Sequence, residues 1–296
     1  MNVTSIINIS KFRCKKNLTL KNIPAGRFDS SLRFPGVKGT EQQRSKLACE
    51  LNDKLFKLIH DIFNQKIKMN KRPTVNKVEI KQCIKEVVPT AKIDVIYDKC
   101  QDSAGYVGTM EETATKKIAG FVLGLRGSIK QRDADGVMTL RHEMKHFFDY
   151  ITQPKSIARD NTTYLIGKLE NFTEKKNDKH LTFYDNVLYH PKKYKNDEKE
   201  MNYLKGRLGK YFDKNPTPPA EKIEILQNWR GGLKAERDAY ADEQVCISSD
   251  KEIVEAAVKE AKEYFFFEPK IKLVEQMLKE EISAVRKQHA KNYGKN

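Results

Sequence analysis

The chain has 296 residues and a mass of 34.3 kDa, enough for one large or two modest domains with a buried core. Hydrophobic residues make up 39% and aromatic residues 9%, too many for a wholly disordered chain, and ten prolines with fifteen glycines exclude collagen-like and other Gly/Pro-rich classes. Lys and Arg number 56 against 40 Asp and Glu, so the net charge is +16; such a field attracts nucleic acid, anionic membranes or acidic partners, and it equally describes a solubilising lysine-rich surface.

The first forty residues are basic and acid-poor, with Lys11, Arg13, Lys15, Lys16, Lys21, Arg27, Arg33 and Lys38 against Asp29. Polar residues interrupt Ser5–Ser10, so a secretory apolar core is not predicted, and the segment reads as a flexible lead-in, a targeting signal or a nucleic-acid arm. From Glu41 to Met69, Leu47, Leu51, Leu55, Leu58, Ile59, Ile62 and Phe63 recur at helical spacing, and Arg72-Pro73 ends the run. A second helix is predicted from Asn76 to Val87.

Strand patterns follow at 92–97, 105–108 and 118–125, the last weakened by Gly120 and Gly124, which would let another backbone approach closely. A compact helix is predicted from Gly136 to Ile151, with Asp135 as N-cap and Pro154 beyond its end. Residues 155–220 read as an irregular insertion with short helices, in which Tyr189, Tyr194, Tyr203 and Tyr211 interleave with lysines. The remainder is helical, with breaks expected at Gly231-Gly232 and at Pro269. No run approaches the roughly 18 apolar residues of a membrane-crossing helix. Cys14, Cys49, Cys83, Cys100 and Cys246 are odd in number and contain no C-x-x-C pair, so they read as reduced thiols in a reducing compartment.

The chemical signal is His142-Glu143-Met144-Lys145-His146, an H-E-x-x-H match inside the compact helix. Histidines four apart stand one above the other on a helix, so both imidazoles reach one ion at about 2.0–2.1 Å. The adjacent glutamate can then serve as general base to a water that the ion activates. Leu140, Met144, Phe147, Phe148 and Ile151 form an apolar stripe, and the histidines fall nearly opposite it. Core histidines would sit on that stripe; solvent-facing histidines of a surface helix would not. Arg141 and Lys145 are expected to face water.

A catalytic zinc site needs a third protein ligand. Asp149 and Thr152 occupy the glycine and third-histidine positions of the longer metzincin pattern, which excludes it. Leu233, Glu236, Tyr240 and Ile247 share one helical face further on, so Glu236 is a carboxylate among apolar neighbours, an expensive position unless an ion or a lysine meets it.

His142-Glu143-x-x-His146 followed on a later helix by Glu236-x-Asp238-Ala239 resembles the gluzincin branch of the zincin metallopeptidases. The resemblance covers about residues 90–150 and 230–247. It implies an α+β, zincin-like fold, a small twisted sheet packed on the active-site helix with a mostly helical remainder. It further implies zinc held by His142, His146 and Glu236, with Glu143 as the base. Residues 118–125 would be the edge strand that takes peptide substrate by β-addition.

Two features depart from the family. About ninety residues separate His146 from Glu236, and Tyr240 stands where an acid often follows the ligand glutamate. Asp238, Asp242, His180 and His190 therefore stay open as alternative ligands. Tyr240 is a candidate oxyanion donor or plain core, and Asp149 is a candidate to orient an imidazole.

The expected activity is zinc-dependent hydrolysis of peptide bonds in a protein or peptide substrate. The alternative is a basic nucleic-acid- or partner-binding protein around a degenerate or structural core, in which the tyrosine-rich stretch would be a weak interface signal. Delivery as an effector or virion component fits either reading.

Overall fold

The structure, a computed structural model, describes residue 34 and residues 37–98, 105–111, 118–153, 195–214 and 216–293. The basic lead-in up to residue 33, His180, His190, Tyr189 and Tyr194 lie outside the described residues. The chain divides into two compact units, residues 1–158 with 238–258, and residues 159–237 with 259–296. The architecture is mixed α+β and mostly helical. Among the described residues no helix is long and apolar enough to cross a membrane.

In the first unit the chain runs through α1 (Glu41–Lys68), β1 (Thr74–Val75), α2 (Lys77–Val87), β2 (Ile93–Tyr97), β3 (Gly105–Glu111), β4 (Ile118–Leu125), β5 (Ile129–Lys130) and α3 (Ala134–Thr152). Capping boxes start the first two helices, Thr40 with Gln43 and Asn76 with Glu79, each pair satisfying two backbone N–H groups that lack an intrahelical partner. The stripe of α1 is buried at Leu51, Leu55, Ile59 and Phe63, as its spacing predicts.

β2, β4 and β3 form a sheet in that order, β2 parallel and β3 antiparallel to β4. Residues 118–125 are thus its centre and not its edge. An unbroken apolar run suits a strand bonded on both sides and covered on both faces. Among the described residues the edges are β2 and β3. Both β4 glycines admit close neighbours: a Cβ on Gly120 would lie 2.7 Å from the Lys92 carbonyl, and one on Gly124 would lie 2.1 Å from the ring of its register partner Tyr106.

Helix α3 is capped by Asp133, not Asp135; its carboxylate accepts the Gly136 N–H at 3.1 Å. Leu140, Met144, Phe147, Phe148 and Ile151 enter the core as expected. Arg141 and Lys145 do not face water. They are 4% and 1% exposed, because α1 packs along that side of α3 and acidic groups meet both cations there.

The second unit begins, among the described residues, with α4 (Asp197–Lys214), an eighteen-residue helix where an irregular insertion with short helices was expected. Leu204, Leu208, Tyr211 and Phe212 bury one face of it. Tyr211 packs on Trp229, ring centroids 6.3 Å apart, so this tyrosine of the basic stretch is core and not a stacking platform.

Helix α5 (Pro219–Glu243) runs unbroken through Gly231-Gly232. Two interior glycines cost about 1 kcal/mol each, and the burial of Leu226, Trp229 and Leu233 around them outweighs that. Its last residues, from Asp238, belong to the first unit. A 3₁₀ turn (Gln244–Cys246) follows, and Ile247, expected on the buried face, is 47% exposed beyond the helix end.

The break between α6 (Lys251–Tyr264) and α7 (Phe267–Tyr293) falls at Phe265-Phe266, with Phe266 at φ 57°, before the expected Pro269. Pro269 sits in the first turn of α7, where a missing N–H breaks no helical bond.

Candidate metal centre

Helix α3 sets the Nε2 atoms of His142 and His146 3.2 Å apart. Two nitrogens held at 2.0–2.1 Å by a tetrahedral ion lie about 3.3–3.4 Å apart, so the pair already has nearly the separation an ion requires. The same spacing serves a hydrogen bond between two neutral rings. Glu236 joins them from α5: one ligand atom from each of the three residues lies within 4.8 Å of the others, and all three are buried. Among the described residues this is the group able to hold a metal ion.

The surroundings orient the rings. Glu243 Oε2 lies 2.9 Å from His142 Nδ1; a proton on Nδ1 donated to that carboxylate puts the ring's lone pair on Nε2, the atom facing His146. Tyr240 packs edge-to-face on His142, centroids 4.7 Å apart at 75°. Tyr150 lies nearly parallel to His146 at 6.3 Å and stacks against Phe121 at 6.1 Å.

Glu143 is steered from the edge strand. Its Oε2 accepts the Val107 N–H at 2.9 Å, and a Cβ on Gly105 would come within 3.5 Å of its Cγ. An edge strand has backbone donors outside the ladder, and here one of them meets the motif glutamate.

The other acids take different work. Asp242 accepts from Asn52 Nδ2 at 2.6 Å and pairs with Arg141 Nε at 3.0 Å. Asp149 lies 2.5 Å from Lys145 Nζ. Burial acts most strongly against the Lys145 charge, but the hydrogen-bonded Asp149 together with Cys49 and Asp238 more than offsets it and holds the ammonium above its usual range. Burial likewise opposes the Arg141 charge, and Asp242 with Asp53 more than offsets it. Asp238 is half-buried and acts on Lys145 and Asp149 through its charge.

No family model matches the chain, and no curated protein or solved structure matches it. The centre therefore stands on its geometry. Of the expected residues, His142, His146 and Glu236 come together, with Glu143 and Tyr240 beside His142 and His146 in sequence or by contact. Sequence reasoning missed Glu243, Tyr150, Asn52 and the Val107 N–H. Glu243 carried a usable signal: it follows Glu236 by seven residues, two helical turns, and so returns to the same face.

Proposed function

We propose that the chain is a zinc-dependent metallopeptidase of gluzincin type on a zincin-like fold. The observation that carries this reading is the two Nε2 atoms 3.2 Å apart with a buried glutamate in the same ligand group. Two imidazoles and one carboxylate suit zinc, and three protein donors leave a fourth position for chemistry. Two parallel strands with an antiparallel edge strand, packed with the motif helix, support the fold half of the reading.

A zinc ion held there supplies a Lewis acid that polarises a peptide carbonyl and brings the pKa of water to about 7. Glu143 takes a proton from the attacking water at its carboxylate and hands it to the amine nitrogen that leaves. The Val107 N–H holds that carboxylate in one orientation beforehand. Tyr240, one turn past Glu236 with its ring on His142, is the side-chain donor to the carbonyl oxygen as it gains charge. Peptide substrate adds along β3, so the role expected of residues 118–125 passes to residues 105–111.

The +16 charge favours a second reading, a basic protein that binds nucleic acid or an acidic partner around a structural metal core. Metal analysis of the purified protein with peptide-library hydrolysis separates the two. Stoichiometric zinc, lost in His146→Ala, and hydrolysis reduced at least ~10²–10⁴-fold in Glu143→Gln at full zinc content are expected. Zinc without hydrolysis, together with steeply salt-dependent nucleic-acid binding, would favour the second reading. Absence of bound metal in the native protein would overturn the site.

A further inference from the structure

Two bonded pairs join α3 to the end of α5, and they are consecutive on both helices. Arg141 meets Asp242, and His142 meets Glu243; each pair is 101 residues apart in the chain. Successive residues of a helix advance about 1.5 Å and turn about 100°. One register of the two helices satisfies both rungs, and a slip of a single residue breaks both.

The Arg141 rung is bonded several times. Its Nε donates to the Asp242 carbonyl at 2.8 Å and its Nη2 to Asp242 Oδ1 at 3.2 Å, while Nη2 also reaches Asp53 Oδ1 at 2.5 Å. Asn52 of α1 closes the node. Its amide nitrogen donates to Asp242 Oδ2 at 2.6 Å and to the Arg141 carbonyl at 3.0 Å, one bond for each hydrogen. Three helical segments therefore meet at one polar point, one residue along the chain from both partners of the His142–Glu243 bond.

Asn52, Arg141 and Asp242 are all buried. Withdrawing a guanidinium and a carboxylate from water is costly, and apolar residues of similar volume commonly hold helices together as well or better. Apolar contact is also tolerant of sliding. A bidentate fork with a bridging amide is not, because its donors and acceptors match in one arrangement.

We propose that Arg141, Asn52 and Asp242 are positioning residues of the metal centre, a buried clamp that sets the register of α5 against α3. The clamp brings Glu243 to Nδ1 of His142, so that Nε2 is left for the ion, and it holds the preceding turns of α5, with Glu236, at the same register. None of the three offers an atom to the ligand group. The inference rests on the metal reading above and deepens it.

The test uses the full chain, freed of metal by a chelator. It is titrated with zinc against a chromophoric competitor and, separately, with cobalt(II), whose visible band reports coordination geometry. Arg141→Lys keeps the charge and loses the fork; Asp242→Asn keeps the shape and loses the charge. Asn52→Ala removes both bridging bonds while leaving the ion pair intact, and it carries the test if the charged variants do not fold. Lys81→Met, which removes a surface ion pair with Asp94, is the control.

Each clamp variant that folds is expected to bind zinc about 10–100-fold more weakly and to give a cobalt band of altered position or intensity, with the control unchanged. Variants that melt at lower temperature yet keep wild-type zinc affinity and the wild-type cobalt band would make the node structural only and overturn the proposal. A wild-type chain that binds neither ion would instead overturn the metal reading on which the proposal rests.

Discussion

The two units use burial differently. In the first, α3 buries Arg141, Glu143, Lys145 and Asp149 beside its two histidines, and bonded partners meet them: Asp242, the Val107 N–H, and each other. In the second, the buried core is apolar, aromatic at Tyr211, Phe212, Trp229 and Phe267 and aliphatic at Leu204, Leu208, Leu226 and Leu233. Away from the turn bearing Glu236, the buried charges described there are Glu200 and Lys270. Apolar burial supplies free energy with little demand on register, because it is non-directional. Buried, bonded charge costs desolvation and returns a unique arrangement of donors. Stability should therefore depend most on one set of residues and metal affinity on the other.

The largest expected effect is on stability. Phe267→Ala should lower the unfolding free energy by about 3–5 kcal/mol, read in urea by the fluorescence of Trp229, the single tryptophan, with zinc affinity in water unchanged. A comparable fall in zinc affinity would show that the division is wrong. Next comes Gly124→Ala, where the new methyl group would meet the Tyr106 ring. Overpacking of this kind costs about 1–3 kcal/mol, and Tyr106→Leu in the same chain should recover part of it, both read by circular dichroism in urea.

Glu243→Gln should weaken zinc about 10–100-fold, roughly 1.4–2.7 kcal/mol, while moving the urea midpoint little. A wild-type zinc affinity would remove Glu243 from the orienting role.

The smallest effect per unit of the variable is a pH slope. Burial lowers the Lys270 pKa from its usual 10.5 to about 7, against the opposing charge of Glu200. Between pH 7 and 10.5 the unfolded chain holds a proton that the folded chain has released, so stability rises with pH across that window. It does so by at most about 1.4 kcal/mol per pH unit, and below pH 7 the cost of the buried charge is fully felt. Lys270→Met should flatten the slope in urea titrations run at successive pH values. A slope that persists would place its origin elsewhere.

Much of the fold is legible in short stretches of chain. Thr40 and Asn76 mark helix starts because their bonds reach three residues ahead, and the stripe of α1 repeats within single turns. The misread places are those where distant packing overrides a local signal. Gly231-Gly232 carries a break signal, yet α5 continues because Trp229 and Leu233 are buried beside it. Arg141 looks like a surface residue until Asp53 of α1 and Asp242 of α5 reach it, and Lys145 looks like one although it is buried with Asp149 of its own helix. Residues 118–125 have a strand composition, but whether a strand is central or at an edge depends on which others pair with it.

The approach of His142 to His146 belongs to a single helix. Any chain that places two histidines four apart in a helix brings them near one another, so this half of the centre could be read directly from residue order. The identity of the carboxylate beside them, the orientation of each ring and the strand that steers Glu143 depend on segments far apart in the chain. Neither α3 nor α5 by itself encodes the register of one against the other, because each carries only one side of the bonds between them. In the clamp proposed above, it is set when Arg141, Asn52 and Asp242 find the one arrangement that satisfies their hydrogen bonds out of water.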